Sequence, residues 1–74
     1  MIDYSFLLAR ERSKLSLLML LLLMLEEMEV DVLKSGNIGV TLKYTKVRRM
    51  YLTHISLTEL RISVLELLEK NYKR

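Results

Sequence analysis

A cluster of basic residues interleaved with two tyrosines lies in the middle of this 74-residue chain. Its members are Lys43, Lys46, Arg48, Arg49, Tyr44 and Tyr51. Lysine and arginine side chains contact the phosphates of nucleic acids, and aromatic rings pack against sugars or bases. The cluster therefore predicts double-stranded DNA as a partner. Ordinary solubilisation of an exposed edge by charged side chains is the alternative.

Residues suited to catalysis are scarce. The chain has no Cys and a single His, His54, with no pair of carboxylates near it in sequence, so no nucleophile-and-base arrangement is evident. The segment 36–39 has two glycines but neither the spacing nor the Lys of a phosphate-binding loop. We therefore expect no enzyme activity, no cofactor and no bound metal.

Length and composition indicate one small domain covering residues 1–74. Apolar residues make up 51% and charged residues 28%, with a net charge of +3, which is typical of a chain that folds. A domain this small buries only about 60% of its unfolded surface. Without Cys there are no disulfides, so oligomerisation is the expected support.

The most apolar stretch, residues 15–25, contains one Ser among ten Leu and Met residues. As a helix it spans roughly 16 Å, whereas a bilayer core is about 30 Å thick. Basic residues precede it and acidic residues follow it directly. A signal peptide is the alternative, but no small-residue cleavage site follows. We expect a soluble, cytoplasmic protein that does not contact membranes.

The composition of residues 3–34 predicts a long helix that Asp3 caps and Gly36 ends. If this helix is broken, the sequence favours a break near residues 13–16. Positions 17–25 are apolar on every side of that helix, which requires burial all round. The rest of the chain is too short to wrap it, so we expect a homodimer or higher oligomer. The predicted interface residues are Leu18, Leu21, Leu22, Leu25, Leu60, Val64 and Leu67.

The second half begins with an ambiguous segment, residues 38–55. Apolar and polar residues alternate from 38 to 45, and residues 49–55 are rich in strand formers. Together they predict a β-hairpin with its turn near residues 45–47. The alternative is a helix, because an apolar stripe with helical spacing runs through the same residues: Val40, Tyr44, Val47, Tyr51 and Ile55.

A capping box predicts a second helix at the end of the chain. Ser56 is placed as its N-cap and Glu59 as its third residue, with Ile55 and Leu60 as a hydrophobic staple. The predicted fold is therefore α+β and dimeric, in the order helix, hairpin, helix. The alternative is an all-α bundle of helical hairpins.

Two stretches of the chain carry a family-like pattern. Residues 25–34 have a leucine followed by two acids and end in a hydrophobic and a basic residue, and residues 47–53 have two arginines before an aromatic residue and a Leu-Thr pair. They resemble the end of the recognition helix and the returning wing strand of winged-helix DNA-binding domains of the PadR-like and MarR-like types. Residues 56–70 would be the helix that follows the wing and helps to form the dimer. The resemblance covers about residues 25–70 and implies a DNA-binding regulator.

These observations favour a small dimeric transcriptional regulator that contacts DNA phosphates through a basic β-hairpin. The alternative is an all-helical adaptor that binds another protein and no nucleic acid. A membrane-active peptide or toxin is a third interpretation, which predicts structure only in the presence of lipid.

Overall fold

The protein is a helical hairpin in a computed structural model that describes residues 3–72. Its elements are α1 (Tyr4–Glu27), α2 (Glu29–Lys34) and α3 (Ile38–Tyr72). Helices α1 and α2 form one arm, and α3 returns along it as the other. The resulting rod measures 58 × 15 × 14 Å. No helix in the described range has an apolar stretch long enough to cross a membrane.

The predicted α+β fold is wrong, and its all-α alternative agrees with the structure. Helices cover 93% of the described residues, and no strand occurs between residues 3 and 72. The segment predicted as a β-hairpin, residues 38–55, is the first half of α3. The last helix does not begin at Ser56 either, because α3 passes through the capping box without interruption.

Two local features are compatible with a helix over residues 38–55. A hairpin would need a tight turn at residues 45–47, where the sequence supplies no Gly, Asn or Pro. Threonine hydroxyls also bond within the helix: Thr45 donates to the carbonyl of Thr41 at 2.9 Å, and Thr53 donates to that of Arg49 at 2.9 Å. The β-branched residues that suggested strands are thus accommodated on the helix.

The turn between the arms lies where the glycines predicted a break. Gly36 has φ 64°, a left-handed conformation that favours glycine and ends the preceding helix. Ser35 Oγ donates to the carbonyl of Val32 at 2.6 Å. Asn37 Oδ1 accepts from the backbone N–H of Val40 at 3.3 Å, which caps the start of α3.

The first arm is irregular at Met28 rather than near residues 13–16, where the sequence suggested a break. Asp3 caps α1 as predicted, since its Oδ1 accepts from the N–H of Phe6 at 3.2 Å. At Met28 the backbone N–H donates to the carbonyl of Leu25 at 3.0 Å, a tighter bond than the helical pattern. Its carbonyl accepts from Val32 N–H, so α2 follows without a loop.

The two arms meet along a row of facing residues, which we call the seam. Its members are buried or half-buried and alternate in steps of four and three. On the first arm they are Tyr4, Leu8, Glu11, Leu15, Leu18, Leu22 and Leu25, and on α3 they are Tyr44, Arg48, Tyr51, Ile55, Thr58, Ile62, Leu65 and Glu69. This seven-residue repeat is the pattern of a coiled coil.

Polar contacts between the arms fix their register. Ser5 Oγ donates to Glu69 Oε2 at 3.0 Å, and Arg61 Nη1 lies 3.9 Å from Glu11 Oε1. Low numbers on α1 therefore pair with high numbers on α3, so the arms are antiparallel. The free ends of both arms meet at one end of the rod, and the Gly36 turn forms the other.

The core of the hairpin is thin. Among the described side chains, the buried apolar ones are Leu8, Val32 and Ile55. The chain exposes 6157 Å², whereas a compact 8.8-kDa monomer would expose roughly 4,800 Å². Two helices cover each other along one line only, so most of their apolar residues remain in contact with water.

Candidate functional site

A groove of about 450 Å³ runs between the arms near their free ends. It is lined by Leu7, Arg10 and Glu11 of α1 and by Leu60, Arg61, Val64 and Leu65 of α3. These residues identify which edge of α1 and which edge of α3 lie on the same side of the hairpin.

Residues seven apart stay on the same edge of a helix in a coiled coil, so the two edges of the groove extend toward the turn. On the first arm the edge continues through positions 14, 17, 21, 24, 28 and 31, and on α3 through 57, 54, 50 and 47. We call this surface the apolar face. Its apolar members are Leu7, Leu17, Leu21, Met24, Met28, Val47, Met50, Leu57, Leu60, Val64, Leu67 and Leu68.

Solvent reaches most of the apolar face. The exposed fraction is 56% at Leu17, 54% at Met24, 57% at Met50 and 50% at Leu57. Monomeric proteins rarely expose continuous apolar patches of more than a few hundred Å². A continuous row of half-exposed leucine and methionine side chains is typical of a surface that binds another helix.

The other side of the hairpin is more polar. Arg12 Nη2 lies 3.5 Å from Glu66 Oε2, so these two side chains mark the edges that face away from the groove. We call this side the opposite face. It carries Arg12, Ser16, Glu26, Arg49, Ser56, Glu59, Ser63 and Glu66, together with the exposed apolar residues Met19, Leu23, Val30, Leu33, Leu42 and Leu52.

Three cations at or beside the groove surround one buried carboxylate. Glu11 Oε1 lies 3.9 Å from Arg10, 3.6 Å from Lys14 and 3.9 Å from Arg61. The Glu11 side chain is only 5% exposed, and its Oε2 is buried with no hydrogen-bond partner among the described residues. We call Arg10, Lys14 and Arg61 the basic band. One carboxylate against three cations leaves this part of the apolar face positively charged.

The predicted DNA-binding residues do not form one surface. Lys43, Lys46 and Arg49 are exposed on α3, whereas Arg48, Tyr44 and Tyr51 are half-buried on the seam. There is no hairpin tip to present them, because the segment is helical. Four acidic residues, at positions 26, 27, 29 and 31, lie at the same end of the rod and reduce its positive potential.

Tyr44 is held inside the hairpin. Its hydroxyl is buried and has no hydrogen-bond partner within the described chain. Desolvation raises the pKa of Tyr44 above its ordinary value of 10.0, and the carboxylate of Glu29 raises it further. Arg48 lowers this pKa, and Glu26 adds a smaller upward shift. The Tyr44 phenol is therefore neutral at physiological pH. Its ring packs at the seam and does not offer an open surface to a sugar or base.

The structure divides the seven predicted interface residues between two locations. Leu18, Leu22 and Leu25 are half-buried on the seam, where α1 packs on α3. The others lie on the apolar face: Leu21, Leu60, Val64 and Leu67, which follows Leu60 by seven residues at the edge of that face. The dimer interface stays a prediction, and the second group is the part that a partner could reach.

Sequence reasoning missed several members of the apolar face. Leu17, Met24 and Met50 were not singled out, because a uniformly apolar segment does not reveal which of its residues pack within the chain. The signal that could have found them is spacing. Positions 17 and 24 are seven apart, as are 50, 57 and 64, so each set lies on one edge of a helix.

The described residues form no metal site. No group of three or more His, Cys, Asp or Glu side chains in residues 3–72 is placed to hold an ion. His54 is exposed on α3. The chemistry that the surface offers is apolar contact and ion pairing.

Comparisons of the chain with protein-family models, with curated proteins and with solved structures found no match. They do not bear on the winged-helix resemblance of residues 25–70, although the strand expected at residues 47–53 is helical. The function is therefore inferred from the surface of the hairpin.

Proposed function

We propose that the protein is an all-helical interaction module whose apolar face packs against a second copy to form a four-helix bundle. The observation that carries this proposal is the row of half-exposed leucine and methionine residues along both arms on one side of the hairpin. A helical hairpin has two helices and one seam, so a second hairpin supplies the layer that the apolar face lacks.

The exposed area supports a partner of this size. The 6157 Å² surface exceeds that of a compact monomer by about 1,400 Å². A stable interface of standard size takes about 800 Å² from each partner. Pairing through one face would therefore bring the exposed surface of each chain close to that of an ordinary folded protein.

Sedimentation velocity over a range of concentrations tests the proposal with two matched variants. Met24→Glu places a charge on the apolar face, and Leu23→Glu places the same charge on the opposite face, with exposed fractions of 54% and 57%. We expect a species of twice the chain mass for the wild type. Because Met24→Glu buries a carboxylate in the interface, it should raise the dimer Kd roughly a hundredfold or more.

Leu23→Glu should leave the dimer intact, and circular dichroism should show that both variants remain helical. A monomeric wild type at all concentrations would contradict the proposal. So would dissociation by Leu23→Glu with no effect of Met24→Glu.

Phosphate binding is a second candidate, which one observation favours. Lys43, Lys46 and Arg49 are exposed on α3 and make no ion pair with the described part of the chain. Binding to a fluorescent random DNA duplex over a salt series tests it. Micromolar affinity that falls steeply with salt and is lost on replacing all three with Ala would support it. No binding at low salt would remove this candidate.

We place this module in the cytoplasm. A chain without Cys needs no oxidising compartment for its stability, and its contacts are helical packing and ion pairs. Fractionation of cells that express the chain with a small epitope tag tests this location, and recovery in the membrane or secreted fraction would contradict it.

A further inference from the structure

Charge is distributed unevenly along the apolar face. From the free end toward the turn, the first arm presents Arg10, Lys14, Leu17, Leu21, Met24, Met28 and Asp31 along this edge. Cations stand at one end of the apolar row, and a carboxylate stands at the other. We infer that two copies pair antiparallel through this face, with their turns at opposite ends, an inference that rests on the proposed function.

The residues along this edge of the first arm are complementary to the same residues of a second chain that runs in the opposite direction. If the two-fold axis passes midway between Leu21 and Met24, the two leucines of one chain face the two methionines of the other. Lys14 lies seven residues before Leu21, and Asp31 lies seven residues after Met24, about 10 Å in each case. Lys14 therefore reaches the level of the partner's Asp31, and symmetry produces this pair of opposite charges twice.

The second arm fits the same axis. Because Arg61 reaches Glu11 and Ser5 bonds Glu69 across the seam, the midpoint between Leu21 and Met24 lies near Met50 on α3. Met50 is 57% exposed and would meet its own copy there. Both arms thus place an apolar residue at the centre of the interface.

The parallel arrangement lacks this complementarity. With both turns at the same end, α1 of one chain faces α3 of the other, and the basic band of each chain stacks on that of its partner. Glu11 is the carboxylate within that band and already lies within 3.9 Å of all three of its cations. The six cations of the two stacked bands would repel one another, because charges closer than the Debye length of about 8 Å are little screened, and this favours the antiparallel arrangement.

Disulfide cross-linking distinguishes the two arrangements, because the chain contains no Cys of its own. Each variant carries one cysteine, and variants are mixed in pairs and oxidised. The antiparallel dimer predicts a disulfide between Lys14→Cys and Asp31→Cys chains. The parallel dimer predicts one between Lys14→Cys and Arg61→Cys chains instead, since a disulfide needs Cα atoms within about 7 Å.

The possible outcomes test the antiparallel register and the dimer separately. Preferential linkage of positions 14 and 31 supports the antiparallel register. Two other outcomes overturn the register if the sample sediments as a dimer: linkage of positions 14 and 61, or linkage of neither pair. The proposed interaction module is unaffected by either outcome. A monomer in sedimentation overturns both.

A charge reversal gives an independent measurement. Asp31→Lys and Glu26→Lys change the net charge equally near the turn, but Glu26 lies on the opposite face. We expect Asp31→Lys to raise the dimer Kd about tenfold at low salt, with a smaller effect at high salt, because two ion pairs become two repulsions. Glu26→Lys should have little effect. Equal effects of the two variants would overturn the register.

Discussion

Glu11 is the residue whose environment is most unusual. Its side chain is 5% exposed on a seam that is mostly apolar around it, and one of its oxygens has no hydrogen-bond partner in the described structure. Burial of a carboxylate is costly, and ion pairs repay that cost only when the geometry is good. The three cations lie 3.6 to 3.9 Å away, which is long for direct hydrogen bonds. We therefore expect Glu11 to fix the alignment of the two arms rather than to increase the stability of the hairpin.

Replacing this carboxylate with an apolar side chain should stabilise the hairpin. Glu11→Leu completes the apolar seam between Leu8 and Leu15, and the three cations are 45–63% exposed and remain solvated. We expect the free energy of unfolding to rise by about 1 kcal/mol, measured by urea denaturation at a fixed protein concentration. A loss of similar size would mean that the ion cluster stabilises the fold.

At the scale of elements, the hairpin depends on a single seam. Ile55 is 8% exposed and packs at its centre, so Ile55→Ala should lower the free energy of unfolding by about 3 kcal/mol through lost burial and a new cavity. Leu23→Ala, on the opposite face, should cost less than about 1 kcal/mol. Urea denaturation compares the two variants, and equal losses would contradict the assignment of the seam.

The sequence predicted the helical arm before the turn better than the helix after it. Asp3 and Gly36 are local signals that depend on backbone geometry, and the structure uses both. Residues 38–55 fit two sequence patterns at once. Apolar residues alternate with polar ones, as in a strand, and apolar residues also recur at the spacing of a helix. Packing against α1 selected the helix, and packing between distant segments is not encoded locally. The Ser56 capping box had no helix end to cap for the same reason.

The candidate site was only partly predictable. The excess of apolar residues at positions 17–25 predicted a partner chain, and the structure shows that one side of this segment packs on α3 of the same chain. The assignment of Leu18, Leu22 and Leu25 to a dimer required knowing which side α3 covers. The basic residues were found as a cluster in sequence, but a helix distributes them around its circumference.

At the scale of the whole molecule, the proposed dimer would stabilise a rod of 58 × 15 × 14 Å whose own core is thin. Because dimerisation stabilises the folded state by mass action, the melting temperature should rise with protein concentration between about 5 and 500 μM. Circular dichroism melts measure this shift. Met24→Glu should melt at a lower temperature that does not depend on concentration, and a wild type that behaves in the same way would contradict the dimer.

The seven-residue repeat of the seam also determines the handedness of the assembly. A straight α-helix drifts by about 20° for every seven residues, so a strict repeat makes two helices wind around each other in a left-handed supercoil. Between Tyr44 and Leu65 the seam advances three repeats, and the accumulated rotation is about 60°. The apolar face follows that rotation. A binding partner must therefore coil with the hairpin along its length, whereas a straight, rigid helix would contact it over only one or two turns.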